Sequence, residues 1–445
     1  MISLALCAQD GLYRRTNMIK YKETQNPLFE GKKLDLETII PKYREHSAVY
    51  RPKDTWFDYN AWPSVCKDDK GMLYAVSAAF STEHACPFNK VAMYVSKNNG
   101  KTWSPPIVVV DTYVPDGHGG IMYLGDGKLI INYNAEPGDN MFIDHYFRVG
   151  MGEPRSLAKA RQAMIDTYTD APAEKLIGGS HIIISEDYGF TWSEPQRMAV
   201  SNNHGICQCK DGTILFMGKE CYVDTSTTLA PGVFDPKNRV DFESWGDYIA
   251  RRGNRRGNNS PAVAPIYVMA STDGGKTWEK RGTCIPYNGM PWTKICEAHL
   301  LELNDGTLLG AARVESDVEF ENDYTVHLTT STDGGYTWSE MYPTHIPGSP
   351  PHLMQHSSGK ILLTVGCRLE ADGYGEYCYV SNDNGKTWTE KYCINEKSPN
   401  NDLGYPASVE LDDGSILTIY YQRYYDEKTD KYDDKPCIMC TRWTL

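Results

Sequence analysis

The sequence lacks any apolar run long enough to cross a membrane, which takes about 20 residues as a helix. The short apolar run at residues 2–8 also lacks the basic residues that begin a signal peptide. Positive charge is scarce: 45 Lys and Arg residues stand against 58 Asp and Glu residues, so the net charge is −13. This average field repels nucleic acid. We therefore expect neither a membrane nor a nucleic acid as a partner.

A compact cysteine framework is also missing. The chain has 13 cysteines, an odd number, and they are scattered rather than grouped as in a small disulfide-bonded domain. Cys207 with Cys209, and Cys437 with Cys440, lie in strand-like segments, and no second pair follows at zinc-finger spacing. We expect reduced thiols, a cytoplasmic location, and neither a metal nor a cofactor.

Turn-forming and aromatic residues, in contrast, are plentiful. The chain has 38 Gly, 25 Pro, 30 Tyr and 10 Trp residues. This composition is typical of many short strands joined by tight turns. It predicts an all-β protein.

One octapeptide pattern, with Ser first, Asp or Asn third, Gly fifth and Thr-Trp last, occurs five times. It covers residues 96–103, 185–192, 271–278, 331–338 and 381–388. In each box the third residue can bond its own turn, the glycine can take a positive φ, and the Trp ring can pack between sheets. The boxes therefore predict hairpin turns with a structural role.

A second kind of turn precedes each box and also occurs once after the last box. Its glycines are Gly71, Gly127, Gly212, Gly306, Gly359 and Gly414. Six units of about 50 residues, each with four strands, predict a six-bladed β-propeller of four-stranded antiparallel blades. The last unit is one strand short, so we expect a segment between His46 and Phe57 to complete it.

These units divide the chain into an N-terminal extension, residues 1–45, and one propeller, residues 46–445. The boxes are unevenly spaced, which predicts small helical or loop insertions at about 136–175 and 220–262. Residues 156–167 read as a helical stretch. Loop insertions can build the rim of a binding site, and plain decoration is the alternative.

These boxes on a six-blade frame resemble those of the sialidase (neuraminidase) superfamily. Residues 404–421 look like the family segment that carries the nucleophilic tyrosine, and residues 296–313 look like its Glu-to-Arg segment. The resemblance implies that Tyr405 is the nucleophile, that Glu297 draws its proton, and that Arg313 binds a substrate carboxylate.

Tyr405 and Glu297 each stand nine residues before a turn glycine. The same register gives Trp62 and His118 in other blades. Three further histidines fall one or two residues later: His204, His299 and His352. Together these residues predict a polar and aromatic ring that lines a central sugar-binding funnel. A structural role for each single histidine, or a zinc site, is the alternative.

The sequence departs from the family at the arginines that clamp a carboxylate. Ala61-Trp62-Pro63 stands where the family has Arg-Ile-Pro, so the first arginine is missing, and Arg51 lies too far upstream to replace it. The third arginine corresponds to Arg368 or to Arg423. A complete clamp on sialic acid is therefore not predicted.

The family's acid/base aspartate is also missing from the loop at residues 81–88. Glu83 or His84 would have to protonate the leaving group there, since either can do so with a tuned pKa. Asp116 is the other candidate, with an ordinary turn aspartate as the alternative interpretation.

We expect an exo-acting glycoside hydrolase that cleaves a terminal sugar, either sialic acid or another sugar that can be acidic. A glycan is the expected partner. The alternatives are a non-catalytic glycan-binding propeller and a polysaccharide lyase that uses the tyrosine and a histidine.

Overall fold

A computed structural model describes residues 33–53, 55–84, 86, 88–135, 179–204, 206–220, 265–315 and 324–445. Nearly all of the two predicted insertions, and the helical stretch at 156–167, lie outside the described residues. So does the extension up to residue 32. No helix within the described ranges is long and apolar enough to span a membrane.

The described strands form six antiparallel sheets, which confirms the predicted six-bladed β-propeller. In chain order they are β1 (Thr38–Ile39), β2 (Arg44–Tyr50), β3 (Tyr59–Lys67), β4 (Leu73–Ser81), β5 (Lys90–Ser96), β6 (Ile107–Val110), β7 (Asp116–Gly125), β8 (Lys128–Ala135), β9 (Gly179–Ser185), β10 (Gln196–Met198), β11 (Val200–Ser201), β12 (Cys207–Gln208), β13 (Ile214–Glu220), β14 (Ile266–Ser271), β15 (Glu279–Thr283), β16 (Ile295–Glu302), β17 (Leu308–Glu315), β18 (Tyr324–Ser331), β19 (Tyr342–Pro347), β20 (His352–Gln355), β21 (Ile361–Cys367), β22 (Gly375–Ser381), β23 (Glu390–Asn395), β24 (Gly404–Glu410), β25 (Ile416–Asp426) and β26 (Lys431–Trp443).

Each blade takes consecutive strands from the inside outward. Blades one and two are β3 to β6 and β7 to β10, and blades four and five are β16 to β19 and β20 to β23. In blade three the inner strand is split into β11 and β12, which both pair with β13. Helical structure in the described part is limited to three short 3-10 turns: Tyr287–Gly289, Trp292–Lys294 and Glu370–Asp372.

Blade six closes the ring. Its first three strands, β24 to β26, come from the C-terminal end, and β2 pairs antiparallel with β26 as its outer strand, with His46 opposite Thr441. The prediction that an N-terminal segment completes this blade is therefore confirmed. The preceding strand β1 adds in parallel to β23 of blade five. Pairing both ends of the chain leaves few open strand edges at the closure.

The hydrophobic core is a ring of six clusters, one between each pair of neighbouring blades. Strands alternate their side chains between two faces, and here both faces meet another sheet. Whole strands are therefore apolar and buried, as in β21, where all seven residues are buried.

The boxes form the predicted turns. In the third box, Asp273 accepts hydrogen bonds from the Ser271 hydroxyl at 2.8 Å, from the Thr277 amide at 2.9 Å and from the Thr277 hydroxyl at 2.7 Å. Trp338 and Trp388 are buried, whereas the other three box tryptophans are half-buried.

Candidate active site

Four inner strands carry a bulge at one shared register position. Trp62, His118, Glu297 and Tyr405 have φ values of 54°, 55°, 44° and 54°. At each of them the ladder to the next strand skips residues. A left-handed conformation is strained for such side chains, by about 1–3 kcal/mol each, and a bulge turns a side chain away from normal alternation. Such local strain is concentrated at functional sites.

Glu297 lies at the centre of the group. Its Oε1 accepts hydrogen bonds from the Tyr405 hydroxyl at 2.6 Å and from Asn203 Nδ2 at 2.9 Å. Its Oε2 accepts one from Arg313 Nη1 at 2.6 Å. The contacts expected among Tyr405, Glu297 and Arg313 are present and join blades four and six, and the Asn203 bond adds blade three.

The protonation states of this pair follow from burial and charge. Burial alone would raise the pKa of Glu297, but the charge of Arg313 and the hydrogen bond from Tyr405 outweigh it and lower the pKa to about 2. Burial and the nearby Glu297 charge raise the pKa of Tyr405 well above 10. The glutamate is therefore ionised and the phenol protonated at neutral pH.

Arg368 lies against the same tyrosine. Its guanidinium carbon is 5.5 Å from the centre of the Tyr405 ring, and its Nη2 is 3.4 Å from the Tyr421 hydroxyl. Gly404 makes room for it, because a Cβ there would come within 3.0 Å of Nη2. Within the described ranges Arg368 has no carboxylate within 4.0 Å, although it is only 7% exposed. The nearby Glu376 is a poor counter-charge, because burial raises its pKa well above 4.5.

The other register residues form an aromatic surround. The Trp62 and His118 rings are 4.1 Å apart, and the His204 ring stacks on Tyr405 at 5.4 Å. Burial lowers the pKa of His204 to about 4, so it is neutral at neutral pH. In the described part of the chain, both ring nitrogens of His204 and Nε1 of Trp62 are buried without a hydrogen-bond partner.

Two further histidines lie beside this surround. The His299 and His352 rings are 4.3 Å apart. The Leu353 amide donates to His299 Nδ1 at 3.2 Å, and the Ser408 amide donates to His352 Nδ1 at 3.4 Å. Burial lowers the pKa of His352 to about 3 and that of His299 well below 6.5. Among the described residues, no group of three His, Cys, Asp or Glu side chains is placed to hold a metal ion.

The three candidate acids differ in their surroundings. The ring of His84 is 5.0 Å from that of Trp62, so it belongs to the same aromatic group. Glu83 is buried, and its Oε1 accepts a hydrogen bond from the Thr82 hydroxyl at 3.2 Å. Asp116 accepts bonds from the Thr112 amide at 2.6 Å and hydroxyl at 3.0 Å, which is how a turn aspartate behaves.

The remaining arginines lie elsewhere. Arg51 pairs with Asp433 at 2.6 Å and stacks on Tyr424 at 3.5 Å, so it is a structural residue of blade six. Arg423 is half-exposed opposite Pro436 near the end of β25. Within the described ranges it makes no hydrogen bond to Tyr405 or Glu297.

Comparisons with known proteins agree with this geometry. A family model described as a BNR repeat-like domain matches residues 254–430, and a BNR/Asp-box repeat model matches residues 94–105. The anhydrosialidase of Macrobdella decora is 26% identical over 178 residues, which are 36% of this chain and 22% of that protein. The match thus spans about a fifth of that relative.

Two solved structures share the fold over most of the chain. A protein of unknown function from Dyadobacter fermentans is 18% identical with a TM-score of 0.62, covering 90% of this chain and 98% of that one. A Trypanosoma rangeli sialidase in complex with sialic acid is 13% identical with a TM-score of 0.56, covering 91% and 60%. The chain is therefore a six-bladed propeller that carries BNR repeats and is similar to sialidases.

Three residues of the candidate site were not predicted from the sequence. Asn203 stands nine residues before Gly212, so the register rule applied to blade three would have found it. Tyr59 and Asp402 each precede a register residue by three positions, Trp62 and Tyr405 respectively, and they contact each other across the joint of blades one and six at 2.9 Å.

Proposed function

We propose that this protein is an exo-acting, retaining glycoside hydrolase in which Tyr405 is the nucleophile and Glu297 accepts its proton. The single observation that carries the proposal is the 2.6 Å hydrogen bond from the buried Tyr405 hydroxyl to the buried, ionised Glu297. A base within hydrogen-bond distance is what a high-pKa hydroxyl needs to attack at neutral pH.

The two pKa values define when the proton moves. With the pKa of Glu297 at about 2 and that of Tyr405 well above 10, the resting pair does not form phenolate. The proton therefore passes to Glu297 only as the phenolic oxygen bonds to the positively charged anomeric carbon. Glu297 also supplies a fixed negative charge that stabilises an oxocarbenium-like transition state, because it acts in a buried site where electrostatic effects are strong.

The arginines favour an acidic sugar. Arg313 is bound to Glu297 and Glu315 at 2.6 Å each, so its charge is largely compensated. Arg368 has no such partner among the described residues and lies beside the Tyr405 ring. A buried cation without a counter-charge is costly, and a substrate carboxylate next to the anomeric carbon would supply that charge.

The rest of the surround suits hydroxyl groups. The neutral His204 ring and the Trp62 indole have nitrogen atoms that no described residue bonds. Sugar hydroxyls can satisfy these atoms, and aromatic faces can pack on a sugar ring.

The test is a panel of 4-nitrophenyl and 4-methylumbelliferyl glycosides that includes sialosides, uronides and neutral hexosides. We expect turnover of an acidic glycoside, with oxygen from water in the product. A lyase would instead give an unsaturated sugar that absorbs in the near ultraviolet, and a glycan-binding propeller would leave every glycoside intact.

Tyr405→Phe should lower turnover by several orders of magnitude while the protein stays folded, because only the attacking oxygen is lost. The matched control is Tyr420→Phe. Tyr420 is equally buried, but its hydroxyl bonds to Asn395 at 2.7 Å and to Thr441 at 2.7 Å, away from Glu297. The control should lose stability and keep its rate. Full activity in a folded Tyr405→Phe protein would rule out this nucleophile.

A further inference from the structure

A polar triad occupies the joint between blades one and six. Tyr59 starts β3, Asp402 comes just before β24, and His84 follows β4. The Tyr59 oxygen is 2.6 Å from His84 Nδ1 and 2.9 Å from Asp402 Oδ1, and His84 Nδ1 is 3.4 Å from the same carboxylate oxygen. The three residues therefore form one hydrogen-bonded unit that the nucleophile pair does not use.

The directions of these bonds fix the tautomer of the imidazole. The Tyr59 hydroxyl has one proton and donates it to Asp402. Its oxygen must then accept a hydrogen bond from the Nδ1–H group of His84, because the two atoms lie at hydrogen-bonding distance. Nδ1 thus keeps its proton, and Nε2 is the nitrogen that exchanges one. In the described part of the chain, Nε2 is buried and has no protein partner.

The two supporting groups are held in single charge states. Burial and the nearby Asp402 charge raise the pKa of Tyr59 well above 10, so it stays protonated. Burial would raise the pKa of Asp402, but the hydrogen bond and charge of His84 outweigh it and the pKa is lowered. Asp402 therefore places a fixed negative charge beside the imidazole of His84.

The position of the ring links it to the reaction. His84 packs edge-on against Trp62 at 5.0 Å, and Trp62 in turn lies 6.3 Å from the Tyr421 ring, which borders Tyr405 at 6.0 Å. Of the two other candidates, Asp116 uses both carboxylate oxygens to bind Thr112, and Glu83 accepts a hydrogen bond from the neighbouring Thr82 hydroxyl. The triad therefore borders the aromatic side chains around Tyr405, and Nε2 of His84 is its atom that can exchange a proton there.

We propose that His84 is the catalytic acid/base of the hydrolase, and that Tyr59 and Asp402 are positioning residues that hold it in the Nδ1-protonated form. This inference rests on the proposed function and adds the missing proton donor to it.

In the first step the glycosidic C–O bond breaks and its oxygen takes the Nε2 proton of the His84 imidazolium. The Tyr405 oxygen bonds to the anomeric carbon, and the phenolic proton passes to Glu297. In the second step water attacks the anomeric carbon and gives a proton to His84 Nε2. The bond to Tyr405 breaks, its oxygen recovers the proton from Glu297, and the starting charge states return.

The experiment compares two leaving groups on the sugar that the wild-type protein turns over: 4-nitrophenol, which leaves without a proton, and methanol, which needs one. His84→Asn should lower turnover of the methyl glycoside by about 10²–10⁴-fold and that of the nitrophenyl glycoside by less than about tenfold. The control is His46→Asn. His46 lies on the outer strand of blade six and bonds Thr441 of β26, so its substitution should leave both rates unchanged.

Asp402→Asn tests the positioning role through the pH profile. Three charged or titratable groups lie next to His84: Asp402, Tyr59 and its chain neighbour Glu83. Two cations lie further out. The charge of Arg368 acts on both Tyr59 and Asp402, and Lys435 donates a hydrogen bond to the Thr82 carbonyl at 2.8 Å. Removing the one carboxylate in contact removes charge that favours the imidazolium. The alkaline limb of kcat should therefore shift to lower pH, with KM little changed.

Nitrogen NMR of the histidine side chains gives a readout independent of turnover. His84 should show the Nδ1-protonated form in the wild type and lose that preference in Tyr59→Phe. Equal losses on the two glycosides in His84→Asn, an unmoved alkaline limb in Asp402→Asn, or a neutral wild-type ring that carries its proton on Nε2 would each overturn the inference. Tyr405→Phe separates the two proposals: if it is inactive while His84→Asn shows no leaving-group dependence, only the acid/base assignment fails.

Discussion

The box turns at the outer edge and the residues at the centre differ in how their polar groups are hydrogen-bonded. In the box around Asp273, the carboxylate receives bonds from Ser271 and Thr277, and the Thr277 hydrogen bonds lower the pKa of Asp273 to about 2. At the centre, Trp62 Nε1, both His204 nitrogens and Arg368 Nε are buried with no bond from any described residue.

Native proteins satisfy most of their buried polar groups, so each exception needs an explanation. In the boxes the polar groups serve the turn itself, and the turn is complete without a ligand. At the centre, Trp62 lies on strained backbone, and the nitrogen atoms named above have no bond from any described residue. The indole nitrogens of the box residues Trp192 and Trp388 are also buried without a bond from any described residue, so the contrast concerns the turn carboxylates and not every polar group of the boxes.

The strongest way to break this contrast is a box substitution. Trp338→Ala should lower the free energy of unfolding by about 3–5 kcal/mol, because it removes a buried ring between two blades. Turnover per folded molecule should not change. Thermal unfolding and the rate on the active glycoside measure both. A variant that kept its melting temperature and lost its activity would contradict a structural role for the box.

Arg368→Met tests the residues at the centre of the propeller. Losing the proposed carboxylate contact should weaken transition-state binding of an acidic glycoside by about 2–5 kcal/mol, mainly through KM, and leave neutral glycosides unaffected. The melting temperature should not fall, because the side chain lacks a carboxylate partner within the described ranges.

The matched control is Arg51→Met. Arg51 is paired with Asp433 and stacked on Tyr424, so its loss should lower the melting temperature and leave KM unchanged. If Arg368→Met instead destabilised the fold without altering KM, Arg368 would be a structural residue like Arg51.

The smallest effect is expected at Asp116. Burial raises its pKa from 3.8 to about 7, against the opposing hydrogen bonds from Thr112. A raised pKa means that its contribution to stability is fully present below pH about 4 and is lost as the pH rises through about 7. Asp116→Asn cannot ionise, so the drop in melting temperature between pH 5 and pH 8 should become smaller, with turnover retained. A large loss of turnover would make Asp116 a catalytic candidate again.

Much of the fold could be predicted from the sequence because it repeats. Five boxes and six turn glycines mark the blades, and a last blade one strand short predicts the closure by β2. Tyr405 and Glu297 could be predicted as site residues because they share one register, and Arg313 because its segment resembles that of a known family.

The rest of the site depends on contacts between distant segments. Tyr59 and Asp402 are 343 residues apart, and only the closed ring brings them together. Bulges also break simple alternation, so the sequence alone could not show that Arg368 would lie over Tyr405 or that Asp116 would turn to Thr112. These contacts follow from three-dimensional packing rather than from local pattern.

The pairing of β2 with β26 has a consequence for protein synthesis. His46 and Thr441 are 395 residues apart, so β2 leaves the ribosome long before its partner exists. Non-local pairings of this kind form late in folding. Tyr405 belongs to the same last blade, whereas Glu297 belongs to blade four. The hydroxyl of Tyr405 therefore reaches Glu297 only after blade six has been synthesised. A nascent chain can therefore assemble the first five blades before the hydrogen bond between Tyr405 and Glu297 can form.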